Sequence, residues 1–270
     1  MSNYKKVSVI TPTHNPSLYL LDTILSVQRQ VLNQDNILID HFIIDDGTNN
    51  PESLEFLDRI SKIKSIKLFR QEKKGLSSAL NRGINLLNCD YFVPLYSEDV
   101  INPCFVNVLI TELIKSKSNK AFAYSNWAKF GKSNKFFKLN NLNKFNKKFF
   151  EYIPKTLLMP LELASNYKYN ETILEGFENA DLIIRLMLDD CIGLFSNFTG
   201  FYNRNYNDNV LNKLNKNSEF KKYFQKKYPK YYSKVSLEKN NYIFSKKSIN
   251  FLEMNISLII NDFKLSLDNK

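Results

Sequence analysis

Two pairs of carboxylates stand at the ends of apolar runs. Asp45 and Asp46 close "ILIDHFIIDD", and Glu98 and Asp99 follow "DYFVPLY" just before Pro103. Carboxylates gathered at one edge of a sheet repel each other unless a cation joins them. Oxygen ligands favour Mg2+ or Mn2+, which keep several waters and bind through one or two carboxylates plus substrate phosphates. The chemistry these residues fit is therefore the binding of a nucleotide diphosphate with a divalent ion. The plain alternatives are a turn at Asp45 and Asp46 before "GTNN", and helix capping by Glu98 and Asp99. The ligand reading is favoured because both pairs fall at the carboxyl ends of strands. The chain has no G-x-x-x-x-G-K-[ST] loop, and no G-x-G-x-x-G follows its first strand.

The elements that must position these groups alternate through roughly the first 125 residues. "KVSVITP" reads as a strand, and Leu18, Leu21, Ile24, Leu25 and Val31 recur at helical spacing. "ILIDHFIIDD", "SIKLFR", "DYFVPLY" and "KAFAYS" read as further strands. "PESLEFLDRISKI", "GLSSALNRGINLL" and "PCFVNVLITELIK" read as the helices between them. This order predicts an α/β fold with a mainly parallel sheet flanked by helices, whose ligands lie beyond the carboxyl ends of the strands. Thr13, His14 and Asn15 gather there with the two acidic pairs.

Composition narrows the partners. A chain of 270 residues, 43% hydrophobic, can bury a sizeable core. It has no apolar leader and no run near the ~18 residues a membrane span needs, so the expected location is cytoplasmic. Cys89, Cys104 and Cys191 are irregularly spaced and fit neither a disulfide framework nor a zinc site. The net charge is +11, and residues 115–150 hold ten lysines and no acid. That suits an anionic surface, or it reflects the Lys- and Asn-rich composition of the whole chain. Nucleic acid is not the expected partner, because lysines without arginines or a recognition motif carry no base-reading geometry.

"VSVITPTHN", "IIDDGTNN", "GLSSALNRGI" and "LYSEDVINP", in that order, resemble the inverting family-two glycosyltransferases of GT-A fold, which use nucleotide diphosphate sugars. The resemblance spans about residues 5–206 and is strongest through Pro103. It implies that Pro12, Thr13 and His14 line the site of the base, uracil or an equivalent. It also implies that Asp46 meets base or ribose while Asp45 orders the turn, and that Asn81 helps hold the site, with Gly75 and Gly83 allowing close packing. The family's acidic motif reads Leu, Asp, small residue, Asp, Asp; here it reads Leu95, Tyr96, Ser97, Glu98, Asp99. Glu98 and Asp99 then belong to the nucleotide site, and Asp99 is the expected metal ligand.

Inverting transfer also needs a base. "EGFENADLIIRLM" resembles the family's downstream motif, but the catalytic aspartate falls on Asn179. Glu178 is the expected base. Asp181 is an alternative, although Arg185 at i+4 suits it to an ion pair, and the third possibility is an inactive or weak enzyme. The family's Tyr-Arg-x-His appears as "FYNRNYNDN", which retains Arg204, puts Tyr206 at the histidine position and matches Asn209 to the nearby Asn. The domain is expected to run over residues 1–209, followed by a basic helical C-terminal extension over 210–270. In that extension the stripe Leu252, Ile256, Ile259, Ile260, Phe263 and Leu267 suits a docked helix, a homodimer contact or an interfacial membrane helix near anionic lipid. The resulting expectation is transfer from a UDP-type sugar donor to a glycan or lipid-linked saccharide acceptor, in bacterial surface polysaccharide or lipooligosaccharide synthesis. The alternative is a non-catalytic nucleotide- or glycan-binding homologue.

Overall fold

The computed structural model describes residues 4–33, 36–132, 134–139, 142, 153–154, 156–173, 176–205 and 216–229. Tyr206, Asn209, residues 143–150 and the stripe from Leu252 to Leu267 lie outside the described residues.

Strands β1 (Lys5–Thr13), β2 (Ile37–Asp46), β3 (Ile66–Gln71) and β4 (Tyr91–Pro94) are parallel, and the short β8 (Met159–Pro160) closes one edge antiparallel, in the order β3-β2-β1-β4-β8. The connecting helices are α1 (Leu20–Gln28), α2 (Pro51–Ser61) and α3 (Leu76–Leu86). Asn50 starts α2 by accepting from the Glu52 and Ser53 amides, with Pro51 at the first helical position. Helix α3 lies close on β1 because Gly83 has no Cβ, which would stand 2.6 Å from the Ile10 side chain. Gly75, just before α3, holds φ at 93°, a conformation that side chains disfavour.

The strand read from "KAFAYS" is longer and belongs elsewhere. Strand β6 (Ala121–Gly131) lies in a second sheet ordered β5-β9-β6-β7, with β5 (Val100–Ile101), β7 (Lys135–Phe137) and β9 (Ile192–Asn205). Strands β6 and β9 run parallel, with a register irregularity between Ser125 and Trp127. A run of apolar residues fixes strand character, whereas the choice of sheet depends on a partner some seventy residues away, as the pairing of Ala121 with Ile192 illustrates. Helices α4 (Phe105–Ser116), α5 (Leu161–Tyr167) and α6 (Glu178–Leu188) pack on these sheets, and α7 (Lys216–Lys227) docks its Phe224 fully into the main core. Among the described residues, no helix is long and apolar enough to cross a membrane.

His41 sits mid-sheet on β2, buried, with Nε2 2.8 Å from Thr11 Oγ1 on β1. Burial pushes its pKa from 6.5 down to about 3. The folded state therefore holds it neutral while the unfolded chain takes a proton, so its contribution to stability is whole above pH 6.5 and is lost as pH falls toward 3. Between pH 7 and 5 this linkage removes about 2 kcal/mol of stability. His41→Gln should flatten that part of the stability curve in urea unfolding. Parallel curves for the two proteins would show that His41 is not the titrating group.

Candidate active site

The parallel register sets Thr13 beside Asp45, so the loops after β1 and β2 leave the sheet together. Asn15, at φ 47°, stitches them. Its Oδ1 accepts from the amides of Asn49 and Asn50, and its own amide donates to Thr48 Oγ1. Asp45 accepts from the Thr48 amide at 2.9 Å, which orders the turn. Pro12 and Thr13 are buried at the strand end, and Thr13 Oγ1 has no partner among the described residues.

His14 bridges this edge. Nδ1 lies 3.1 Å from the Asp46 carbonyl oxygen, and Nε2 lies 3.0 Å from Lys73 Nζ. A carbonyl only accepts, so Nδ1 carries the proton and Nε2 accepts from the lysine. The ring thus holds an ammonium group at the mouth of the β1 loop.

The side chain of Asp46 has a role the sequence does not reveal. It is buried, with Oδ1 accepting from Gln71 Nε2 and the Lys74 amide, and Oδ2 from the Gly75 amide at 2.7 Å. It therefore ties the loop before α3 to the end of β2. Charge-assisted bonds of this kind are among the stronger ones in a fold.

The acidic turn follows β4. Asp99 N donates to the Tyr96 carbonyl, and Glu98 sits at φ 78°. A non-glycine residue there costs ~1–3 kcal/mol and persists only where the surroundings over-determine it. Those surroundings are explicit. Glu98 Oε1 accepts from Ser17 Oγ at 2.6 Å, and its carbonyl accepts from Arg204 Nε. Asp99 is buried, and its Oδ1 accepts from Asn203 Nδ2 and the Arg204 amide, both at 2.9 Å on β9.

The start of α6 faces the same turn. Glu178 is buried, with both carboxylate oxygens sharing the Gly176 amide at 2.9 and 3.0 Å. Asn179, also buried, accepts from the Tyr169 hydroxyl at 3.4 Å and lies near the Tyr96 side chain, whose hydroxyl has no hydrogen-bond partner among the described residues. Burial first, and the nearby Glu178 charge second, push both phenols above their usual range. Tyr96 and Tyr169 therefore remain protonated donors. The two positions that depart from the family's acids, Tyr96 and Asn179, are in contact with each other.

Asp181 is in different company. It accepts from Arg185 Nε at 2.8 Å, Lys227 Nζ at 3.0 Å and the Tyr228 hydroxyl at 2.5 Å. Burial alone would push its carboxyl up, but the bonds from Tyr228, Lys227 and Arg185 outweigh that and hold it below the usual range.

Asn81 acts on the α6 side of the cleft. Its amide donates to the Tyr169 carbonyl and Glu171 Oε1, and its Oδ1 accepts from the Tyr169 amide at 2.7 Å. Tyr169, Lys73 and Ser17 are the participants that sequence reasoning missed. None lies in a motif, and only the contact between two departures from the family pattern points toward Tyr169.

A divalent ion would find hard oxygen at Asp99, which fits Mg2+ or Mn2+ bound through one carboxylate plus diphosphate oxygens and water. Among the described residues, no three His, Cys, Asp or Glu side chains converge as a ready-made metal cage.

Residues 8–168 match the family model described as glycosyl transferase family 2. An uncharacterized glycosyltransferase of Haemophilus influenzae is 29% identical over 118 residues, 43% of this chain and 35% of that protein. The poly(ribitol-phosphate) beta-N-acetylglucosaminyltransferase TarP of Staphylococcus aureus is 36% identical over 101 residues, 36% of this chain and 30% of TarP. The matches thus span about a third of the length of these two relatives. The crystal structure of S. aureus TarS residues 1–349 with UDP-GlcNAc shares the fold, with a TM-score of 0.59 at 14% identity over 75% of this chain and 59% of that one. Mixed α/β architecture, a mostly parallel sheet and the matched motifs agree, and the chain belongs to glycosyl transferase family 2.

Proposed function

We propose that this chain is an inverting glycosyltransferase that moves a sugar from a UDP-sugar to a hydroxyl of a glycan or lipid-linked acceptor, in bacterial surface polysaccharide or lipooligosaccharide synthesis. The observation that carries the reading is the meeting of the acidic turn and the start of α6 around Tyr96, whose phenol lies near both Asp99 and Glu178. Support for the donor comes from the fold shared with TarS, whose structures hold UDP and UDP-GlcNAc. The acceptor class is suggested by TarP, a transferase named for poly(ribitol-phosphate).

In this mechanism Pro12, Thr13, His14 and Asp46 form the edge that receives base and ribose, and Lys73 adds a cation there. Asn81 and Glu98 hold the walls. Glu178 takes the proton of the acceptor hydroxyl as that oxygen attacks the anomeric carbon from the face opposite the diphosphate. The glycosidic bond forms as the bond to the UDP oxygen breaks, and the configuration inverts. A Mn2+ or Mg2+ held by Asp99, when bound, would neutralise charge developing on the diphosphate. Asp181 is set aside because two cations and a phenol neutralise it, whereas Glu178 lies at the start of α6 near the Tyr96 phenol. The proposed location is the cytoplasmic side of the membrane, where a basic chain of net charge +11 suits an anionic surface. A homodimer through the C-terminal stripe is the alternative use of that stripe.

A second reading is a non-catalytic nucleotide- or glycan-binding homologue. It is favoured by one observation: Tyr96 and Asn179, in mutual contact, are neutral where the family has acids.

Two experiments separate these. Glu178→Gln should lower transfer by at least ~100-fold while UDP affinity is unchanged, because the lost interaction belongs to the transition state. Asn179→Asp should be tolerated or raise activity. Full turnover in Glu178→Gln with loss in Asp181→Asn would move the base to Asp181. If wild type and Asn179→Asp both bind UDP but transfer nothing, the non-catalytic reading holds. Separately, Asp99→Asn keeps an acceptor oxygen for Asn203 and Arg204, so the fold should survive while the manganese-dependent gain in UDP affinity is lost in calorimetry. An unchanged gain would remove Asp99 as the metal ligand.

A further inference from the structure

We propose that helix α7 is a positioning element: it latches onto Phe177 and Asp181 and so positions Glu178, which makes Asp181 a positioning residue. The proposal rests on the reading of Glu178 as the base. Helix α6 has Phe177 as its N-cap residue, whose side chain makes no capping bond. Aromatic residues are poor caps. Helix α7 supplies what the sequence of α6 lacks. Phe224, fully buried, packs its ring 6.2 Å from that of Phe177, the residue immediately before Glu178. Tyr228 stacks behind Phe224 at 6.0 Å.

One turn further along α6, Lys227 Nζ and the Tyr228 hydroxyl both donate to Asp181 Oδ1. The latch does not stop at α6. Asp181 Oδ2 accepts from Arg185 Nε, and the same guanidinium donates to the carbonyls of Tyr167 and Lys168. The next residue is Tyr169, whose hydroxyl reaches Asn179. A single docked helix therefore restrains both sides of the candidate base: the chain entering Glu178 through Phe177, and the Tyr169 segment through Asp181 and Arg185. These contacts fall on residues 177 and 181, which flank Glu178. Precise placement of a base is worth orders of magnitude in rate, and small displacements far from the reacting atoms are costly.

The test uses the full chain. Lys227→Met combined with Tyr228→Phe removes the donors to Asp181 from the end of α7 and the residue after it, Phe224→Ala removes the ring contact, and Lys227→Arg keeps the cation. Amide hydrogen exchange over residues 176–182, UDP affinity by calorimetry and the turnover number are measured for each. The double variant and Phe224→Ala should expose the 176–182 amides and lower turnover by at least ~10-fold with UDP affinity held within ~2-fold, and Lys227→Arg should behave as wild type. Unchanged exchange overturns the latch. Faster exchange with full turnover overturns the positioning role, and so does a parallel fall of turnover and UDP affinity, which is what general destabilisation would give. A wild-type protein that binds UDP but transfers nothing sinks the enzymatic reading and the positioning role together. The exchange measurement still decides whether α7 holds the helix.

Discussion

A single buried guanidinium joins the two sheets where the site lies. Arg204, at the end of β9, is stacked between the rings of Tyr19 and Phe130, 4.3 and 4.4 Å from their centroids. It pairs with Asp22 on α1 and donates Nε to the Glu98 carbonyl, while its own amide binds Asp99. Both members of the pair are about nine-tenths buried. Burying two charges is expensive, and the arrangement persists only when geometry and further hydrogen bonds compensate. Here the compensation comes from two aromatic faces and a carbonyl. The consequence reaches the chemistry, because the left-handed Glu98 and the inward Asp99 are both held by residue 204. Ser17 and Asn203 add side-chain ties to the same acidic turn.

Three aspartates show how neighbours divide labour among identical side chains. Asp46 is fixed by two backbone amides and a glutamine, so its charge organises a loop. Asp181 is fixed by two cations and a phenol, so its charge is neutralised and it serves as an anchor. Asp99 is fixed through Oδ1 by β9, which orients the carboxylate as a whole. The identity of the donors decides what each carboxylate can still do.

Much of this was legible before any coordinates. The strand and helix alternation through α4 follows from apolar periodicity, and the carboxyl-end placement of His14, Asp46, Glu98 and Asp99 follows from that alternation. The second sheet was not legible. Strand β9, "IGLFSNFTGFYNRN", keeps no clean two-residue alternation, and its pairing with β6 shifts register near Ser125. The partners of Asp46 are loop amides, which no residue type announces. Helix α7 reads simply as a lysine-rich stretch, because its docking depends on one phenylalanine and one tyrosine finding α6 across the residues that separate it from β9.

The contact between Tyr96 and Asn179 gives the two departures from the family pattern a common physical cause. Two acids at these positions would face each other beside Glu178 and Asp99, and like charges in a buried space oppose one another's ionisation. Replacing one by a phenol and the other by an amide removes that repulsion, and the amide of Asn179 is bonded by the Tyr169 hydroxyl. The cleft then carries less negative charge for an incoming diphosphate to meet, and less for a divalent ion to offset. The neutral pair lowers the charge of the cleft as a unit. Its effect is to leave the carboxylate of Glu178 beside the phenols of Tyr96 and Tyr169, both protonated and able to donate.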